Sequence, residues 1–138
     1  MPFKVNISTK DGKTYKLETE SEALIDKTLG ENIEGNDVAD SLQGYEFKIA
    51  GASDKAGLPA RAEVPGTALK GLLLSYGKGM WESRPKGLRR RKTVRGKIIS
   101  KDIVQINLVV VKQGNQSLAE IFPDQNKAKE VAAVPVVA

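Results

Sequence analysis

The chain has 138 residues, 40% of them apolar and 5% aromatic, enough for one modest core built from Val, Ile and Leu. It contains no cysteine and no histidine, which excludes a disulfide framework, a thiolate metal centre and imidazole catalysis. The net charge of +5 is uneven: residues 1–50 carry −4, residues 51–102 carry +9 and residues 103–138 are neutral, so a polyanionic partner is expected at one place.

In chain order, MPFKVNISTK lacks the apolar run of a secretion signal, and no window approaches the roughly 18 apolar residues of a membrane span. A soluble intracellular chain is expected. FKVNIST alternates Phe3, Val5 and Ile7 with polar neighbours, and with TYKLET it predicts a hairpin closed by a tight primed turn at Asp11-Gly12. Ser21 is placed to cap a short helix carrying Ala23, Leu24 and Ile25, ended by Gly30. Residues 31–44 read as short or irregular structure.

GYEFKIAG predicts a strand and ASDKAGLPARAEVPG a long loop, whose GASDKAG lacks the spacing and the Gly-Lys-Ser/Thr ending of a phosphate-cradling P-loop. ALKGLLLS predicts a strand, residues 75–96 mostly loop, and KIIS a short strand. DIVQINLVVVK is the strongest strand pattern, with Ile103, Gln105 and Asn107 on one parity and Val104, Ile106 and Leu108 on the other. QGNQ reads as a linker. SLAE offers a capping box between Ser117 and Glu120, Pro123 breaks that segment, and DQNKAKEVAA has room for only two or three helical turns. The expected architecture is mainly β: a small barrel of about six short strands with long basic loops, one or two short helices and a short C-terminal helix or tail. Residues 1–112 form the expected domain, and residues 113–138 a linker with a short helical or flexible tail.

The charge concentrates in RPKGLRRRKTVRG. Arg84, Lys86, Arg89, Arg90, Arg91, Lys92, Arg95 and Lys97 place eight cations within fourteen residues, with no acid among them. Phosphates would relieve the repulsion between them, and the planar guanidinium bonds two phosphate oxygens at once. Nucleic-acid binding is therefore favoured over a solvated face. It is favoured more strongly over a membrane surface, because only Leu88 and Val94 are large and apolar within the run. The glycines let backbone approach a ligand closely. Lys78 and Trp81 precede the run, and with Lys55 and Arg61 of the long loop they complete the expected RNA-contact set. Trp81 is equally suited to plugging a barrel and to stacking on a base. RNA is favoured over DNA, since no helix-turn-helix, zinc finger or basic zipper is present and an Arg/Gly loop on a β scaffold suits irregular folded RNA. The acidic half offers Glu18, Glu20, Glu22 and Asp26 for a metal-dependent enzyme, a much weaker reading, and no cofactor or metal is expected.

GYEFKIAGASDKAGLP, the LLLS strand, RPKGLRRRKTVRG and ISKDIVQINL follow one another as in the S6e family of small-subunit ribosomal proteins of archaea and eukaryotes, which the chain resembles over about residues 1–110. The resemblance implies a small β-barrel bound to small-subunit ribosomal RNA at the foot of the body, beside neighbouring small-subunit proteins in the cytoplasmic ribosome. It implies a structural and assembly role, with no catalysis, no membrane and no small-molecule substrate. A free-standing β-barrel RNA-binding factor of translation or assembly is the alternative. The chain departs from the family pattern at Leu58, Ala60 and Leu88, none of which removes a phosphate contact. Its short neutral C-terminal segment has Ser117 as its single serine, so the tail phosphorylation of eukaryotic members is not expected, and its length fits the archaeal form.

Overall fold

The computed structural model describes residues 2–77, 80–123 and 125. Seven strands form two sheets. The larger holds β1 (Phe3–Ser8), β2 (Thr14–Thr19), β3 (Asn32–Glu34), β4 (Glu46–Asp54) and β7 (Ile103–Lys112) in the order β2-β1-β7-β4-β3. The smaller is a two-stranded ribbon of β5 (Leu69–Leu74) and β6 (Arg90–Arg95). The helices α1 (Gly35–Val38) and α2 (Leu118–Ile121) are single turns. The mainly β expectation holds, although neither sheet closes on itself, so "barrel" describes the architecture only loosely. No helix among the described residues is long and apolar enough to cross a membrane.

β1 buries Phe3, Val5 and Ile7 as its alternation predicts, and pairs antiparallel with β2. The connecting turn differs from expectation. Thr9 N–H reaches Lys13 C=O at 2.9 Å and Gly12 N–H reaches Thr9 C=O at 3.2 Å, with Gly12 at φ +84°. Asp11 keeps an ordinary negative φ, so this is a three-residue loop ending in a left-handed glycine rather than a primed two-residue turn.

β1 also pairs in parallel with β7, which runs antiparallel to β4 on its other side. The β4–β7 ladder slips three times, at Glu46/Phe47, Ile49/Gly51 and Ser53/Asp54. The last slip leaves Val104 unopposed and resets the alternation, so Ile103 is buried on the same side as Ile106 and Leu108. A strict two-residue period had put Ile103 on the opposite parity. Bulges of this kind bend and twist a strand.

The core gathers the inner face of this sheet, Phe47 and Ile49 of β4 included, with Leu24, Leu29, Val38 and Leu42 from the segment between β2 and β4. Residues Glu22–Leu24 form a 3-10 turn; Ser21 sits at its N-cap without a capping bond and donates its hydroxyl to Asp37 C=O instead. KIIS forms only an isolated bridge, Thr28 to Ile98. After β7 the chain doubles back. Leu118 joins the core, Phe122 stacks on Tyr15 with ring centroids 5.8 Å apart, and the Tyr45 hydroxyl donates to Gln116 C=O. Ser117 makes no side-chain cap, so the capping box does not form. The expected helix over residues 124–133 falls almost wholly outside the described residues.

We propose that residues 1–112 fold autonomously and that residues 113–125 dock on them. Truncation after Lys112 is expected to retain a cooperative thermal transition at lower temperature. Leu118→Ala in the full chain should cost about 2–3 kcal/mol, measured by urea unfolding. A truncated chain without cooperative melting would place the docked segment inside the folding unit.

Candidate nucleic-acid interface

Most of residues 75–96 was expected to be loop, yet its most basic part, RRKTVR, is β6. A strand sorts neighbours onto opposite faces, and β6 therefore divides its cations by parity. Arg90, Lys92 and Val94 pair with Leu74, Leu72 and Lys70. Val94 and Leu74 on that face are buried with Val64 and Met80 in a second small cluster, with Leu72 and Leu88 against it. Leu88, one of the departures from the family pattern, is thus a packing residue. On the other face Arg91 lies over Gly71 and donates to Gly71 C=O at 3.3 Å.

The run contains no acid, but acids reach it from outside. Glu82 bridges Arg90 at 2.9 Å and Lys92 at 3.0 Å. Arg95 Nε meets Asp54 Oδ2 at 2.9 Å, and its Nη1 lies 3.6 Å from Asp102 and 3.2 Å from Thr67 C=O. Arg61 pairs with Glu63 at 2.7 Å. The repulsion that phosphates were expected to relieve is therefore partly relieved from within: folding brings in acids from 7 to 41 residues away.

Asp54 holds the far end of the ribbon. Its carboxylate is buried, and Oδ1 accepts from Ala56 N–H at 2.9 Å and Leu58 N–H at 2.8 Å. GASDKAG, which lacks the P-loop pattern, is thus a turn closed on its own aspartate. Burial alone pushes this carboxyl upward, but the Arg95 hydrogen bond, the Leu58 and Ala56 amides and the Arg95 charge together outweigh it and hold it below the usual carboxylate value. Around this pair the two sheets are joined by backbone: Arg95 N–H to Pro59 C=O at 2.9 Å, and Arg61 N–H to Arg95 C=O at 3.1 Å. Gly96 completes the joint. A Cβ there would lie 1.9 Å from Gly66 C=O, so this glycine admits the protein's own backbone rather than a ligand's.

The expected contact residues therefore fall into two groups at opposite ends of a six-residue strand, roughly 20 Å apart. Trp81, Arg84 and Arg90 line one open groove with Glu82 and Ser83, and Lys86 and Arg89 are exposed beside them in sequence. Arg84, Lys86 and Arg89 form no ion pair with any described residue. Trp81 is 82% exposed, which rules out the barrel-plug reading. At the other end Lys55 is exposed at the Asp54 turn, while Arg61, Arg95 and Lys97 are partly buried at the seam, where Lys97 N–H bonds Val64 C=O at 2.9 Å. Lys78 lies outside the described residues. Glu82 and Asp54 were missed as site residues; Glu82 is the one acid between Glu63 and Asp102, which was the available signal. Glu18, Glu20, Glu22 and Asp26 are exposed, and no group of acids among the described residues is placed to hold a metal.

The family model of Ribosomal protein S6e matches residues 3–123. The chain is 47% identical over 131 residues to a small ribosomal subunit protein eS6 of Archaeoglobus fulgidus, covering 92% of this chain and all of that protein. It is 48% identical over 119 residues to one from Methanococcus maripaludis strain C7, covering 86% of this chain and 94% of that one, and 45% identical over 125 residues to one from Methanothermobacter thermautotrophicus, covering 88% and 96%. The chain belongs to the S6e family, which is structural and not enzymatic.

Asp54→Asn is expected to destabilise the fold by about 3 kcal/mol near neutral pH, because it leaves Arg95 without its buried partner. A carboxyl held low in the folded state stabilises fully above its ordinary value of 3.8, and that stabilisation is lost as pH falls from there through the folded-state value. The gap between wild type and variant in urea unfolding should therefore be constant from neutral pH down to about pH 5 and shrink in more acid solution. A gap that does not change with acidification would show that the charge of Asp54 contributes nothing.

Proposed function

We propose that this chain is a structural constituent of the cytoplasmic small ribosomal subunit, binding small-subunit ribosomal RNA through the β5–β6 ribbon and the segment that leads into it. One observation carries the reading: Arg84, Lys86 and Arg89 are exposed and have no acid partner among the described residues, on a segment that also exposes Trp81. Clustered exposed cations are the electrostatic footprint of a polyanion site. Arg91, splayed across Gly71, adds a fourth cation. Arg90 and Lys92 are shared with Glu82, and Arg95 and Arg61 serve the joint first. Lys55 and Lys97 remain proposed contacts at the periphery, and Lys78 remains a proposed contact outside the described residues. Family membership supplies the particle and its RNA, and neighbouring small-subunit proteins as further partners.

The protein is expected to remain with small subunits through a high-salt wash in sedimentation; release by salt would favour a free-standing factor. For the isolated chain, log K for ribosomal RNA should fall with log salt at a slope of about −3, from about 0.7 for each of four exposed cations. Replacing Arg84, Lys86 and Arg89 together by Ala should bring that slope close to −1 while leaving the melting temperature unchanged. An unchanged slope in this variant would place the RNA contact elsewhere.

A further inference from the structure

Glu82 puts a negative charge on a surface otherwise suited to phosphate. Its side chain is 16% exposed, and it offers one oxygen to Arg90 and the other to Lys92. A carboxylate accepts at about four sites, so acceptor capacity remains on each oxygen. Trp81, its neighbour, is 82% exposed, and both line the groove shared with Ser83, Arg84 and Arg90. A phosphate entering beside Glu82 is repelled by it, whereas N–H groups on a base edge find an acceptor there, and the indole offers a stacking surface to any base.

We propose that this groove holds one unpaired guanine of the bound RNA, with Trp81 stacked on its ring and Glu82 accepting from N1–H and the N2 amino group of its Watson–Crick edge. The inference rests on the RNA reading of this ribbon. Guanine is selected because it alone presents two adjacent donors on that edge. Adenine and cytosine place a ring-nitrogen lone pair beside their amino group, facing the carboxylate, and uracil has a single N–H between two carbonyls. Unpaired bases in folded RNA are the ones recognised in this way. A lysine or arginine side chain of a protein would also meet an indole and a carboxylate. It would meet Arg84, Arg90 and Lys92 as well, and that repulsion favours the base. Arg84 and Arg90 are left to take the phosphates on either side of the guanine.

The protein has a single tryptophan, so its intrinsic fluorescence reports on this groove. The test titrates the full chain at low salt with short uridine oligoribonucleotides carrying one central guanine, adenine or cytosine. The guanine oligomer is expected to quench Trp81 at about tenfold lower concentration than the others. Glu82→Gln should abolish that preference while keeping or raising affinity for the all-uridine oligomer, because Arg90 and Lys92 are freed for phosphate. A Glu82 that only braces the strand would weaken every oligomer alike, which overturns the proposal. Equal quenching by guanine, adenine and cytosine oligomers overturns the guanine pocket and leaves the RNA reading intact. Failure of every oligomer and of ribosomal RNA to bind overturns both. Quenching by an arginine-rich peptide without any base preference overturns it in favour of a protein contact.

Discussion

The basic ribbon is held in place by the ion pair between Asp54 and Arg95. Two strands alone are marginally stable in water, and β5–β6 has only the small cluster around Val94 and Met80 beneath it. What ties it to the larger sheet is a buried carboxylate at the end of β4, fixed by two amides of its own turn and closed by a guanidinium at the end of β6. Burying such a pair costs desolvation, and the attraction repays that cost only where geometry and supporting hydrogen bonds are good. Here the supporting bonds are present on both partners. The ribbon's orientation, and with it the placement of Arg90 and Arg91, depends on that joint.

A second constraint comes from the strand itself. Once RRKTVR is extended and paired, each cation is committed to one side by its parity, and the side chosen decides its use. Arg90 and Lys92 face the small cluster and share Glu82, Arg91 lies over Gly71, and Arg95 turns to the joint. A loop would have left all of these side chains interchangeable. The strand makes them specialised, so cations adjacent in sequence have different energetic roles.

The fold was legible where a pattern is local. The alternation of Phe3, Val5 and Ile7, the β-branched density of residues 103–112 and the run LKGLLL each predict a strand that is present. It was not legible where pairing decides. The glycines and proline around the basic run signal loop, and Arg-rich sequence has no strong β preference, so β6 forms because β5 offers it a partner in register. β3 is three residues long and exists only against β4. The Val104 bulge has no local signal at all. At the site, the basic residues and Trp81 were plain in the composition of one segment. The partition among them was not, because Glu82 and Asp54 act across distances that sequence order does not reveal, and a charge count treats a guanidinium locked at a seam and one free in solvent as equal.

The parallel pairing of β1 with β7 has a consequence for how the chain is made. Asn6 and Asn107, hydrogen-bonded at 3.3 Å, lie 101 positions apart, and among the described residues β7 is the strand that joins the β1–β2 hairpin to β4. The hairpin is made before β7, so Val5 and Ile7 lack the cover of that strand until residues 103–112 have followed. Folds dominated by such distant contacts close slowly, and an exposed hairpin edge is a site for mispairing in the interval. Lys4 and Lys16 are exposed on that hairpin, and charged side chains of this kind disfavour such mispairing. Because the ribbon is anchored to the end of β4 and β4 is held by β7, the cationic surface takes its final shape only after the last strand is in place.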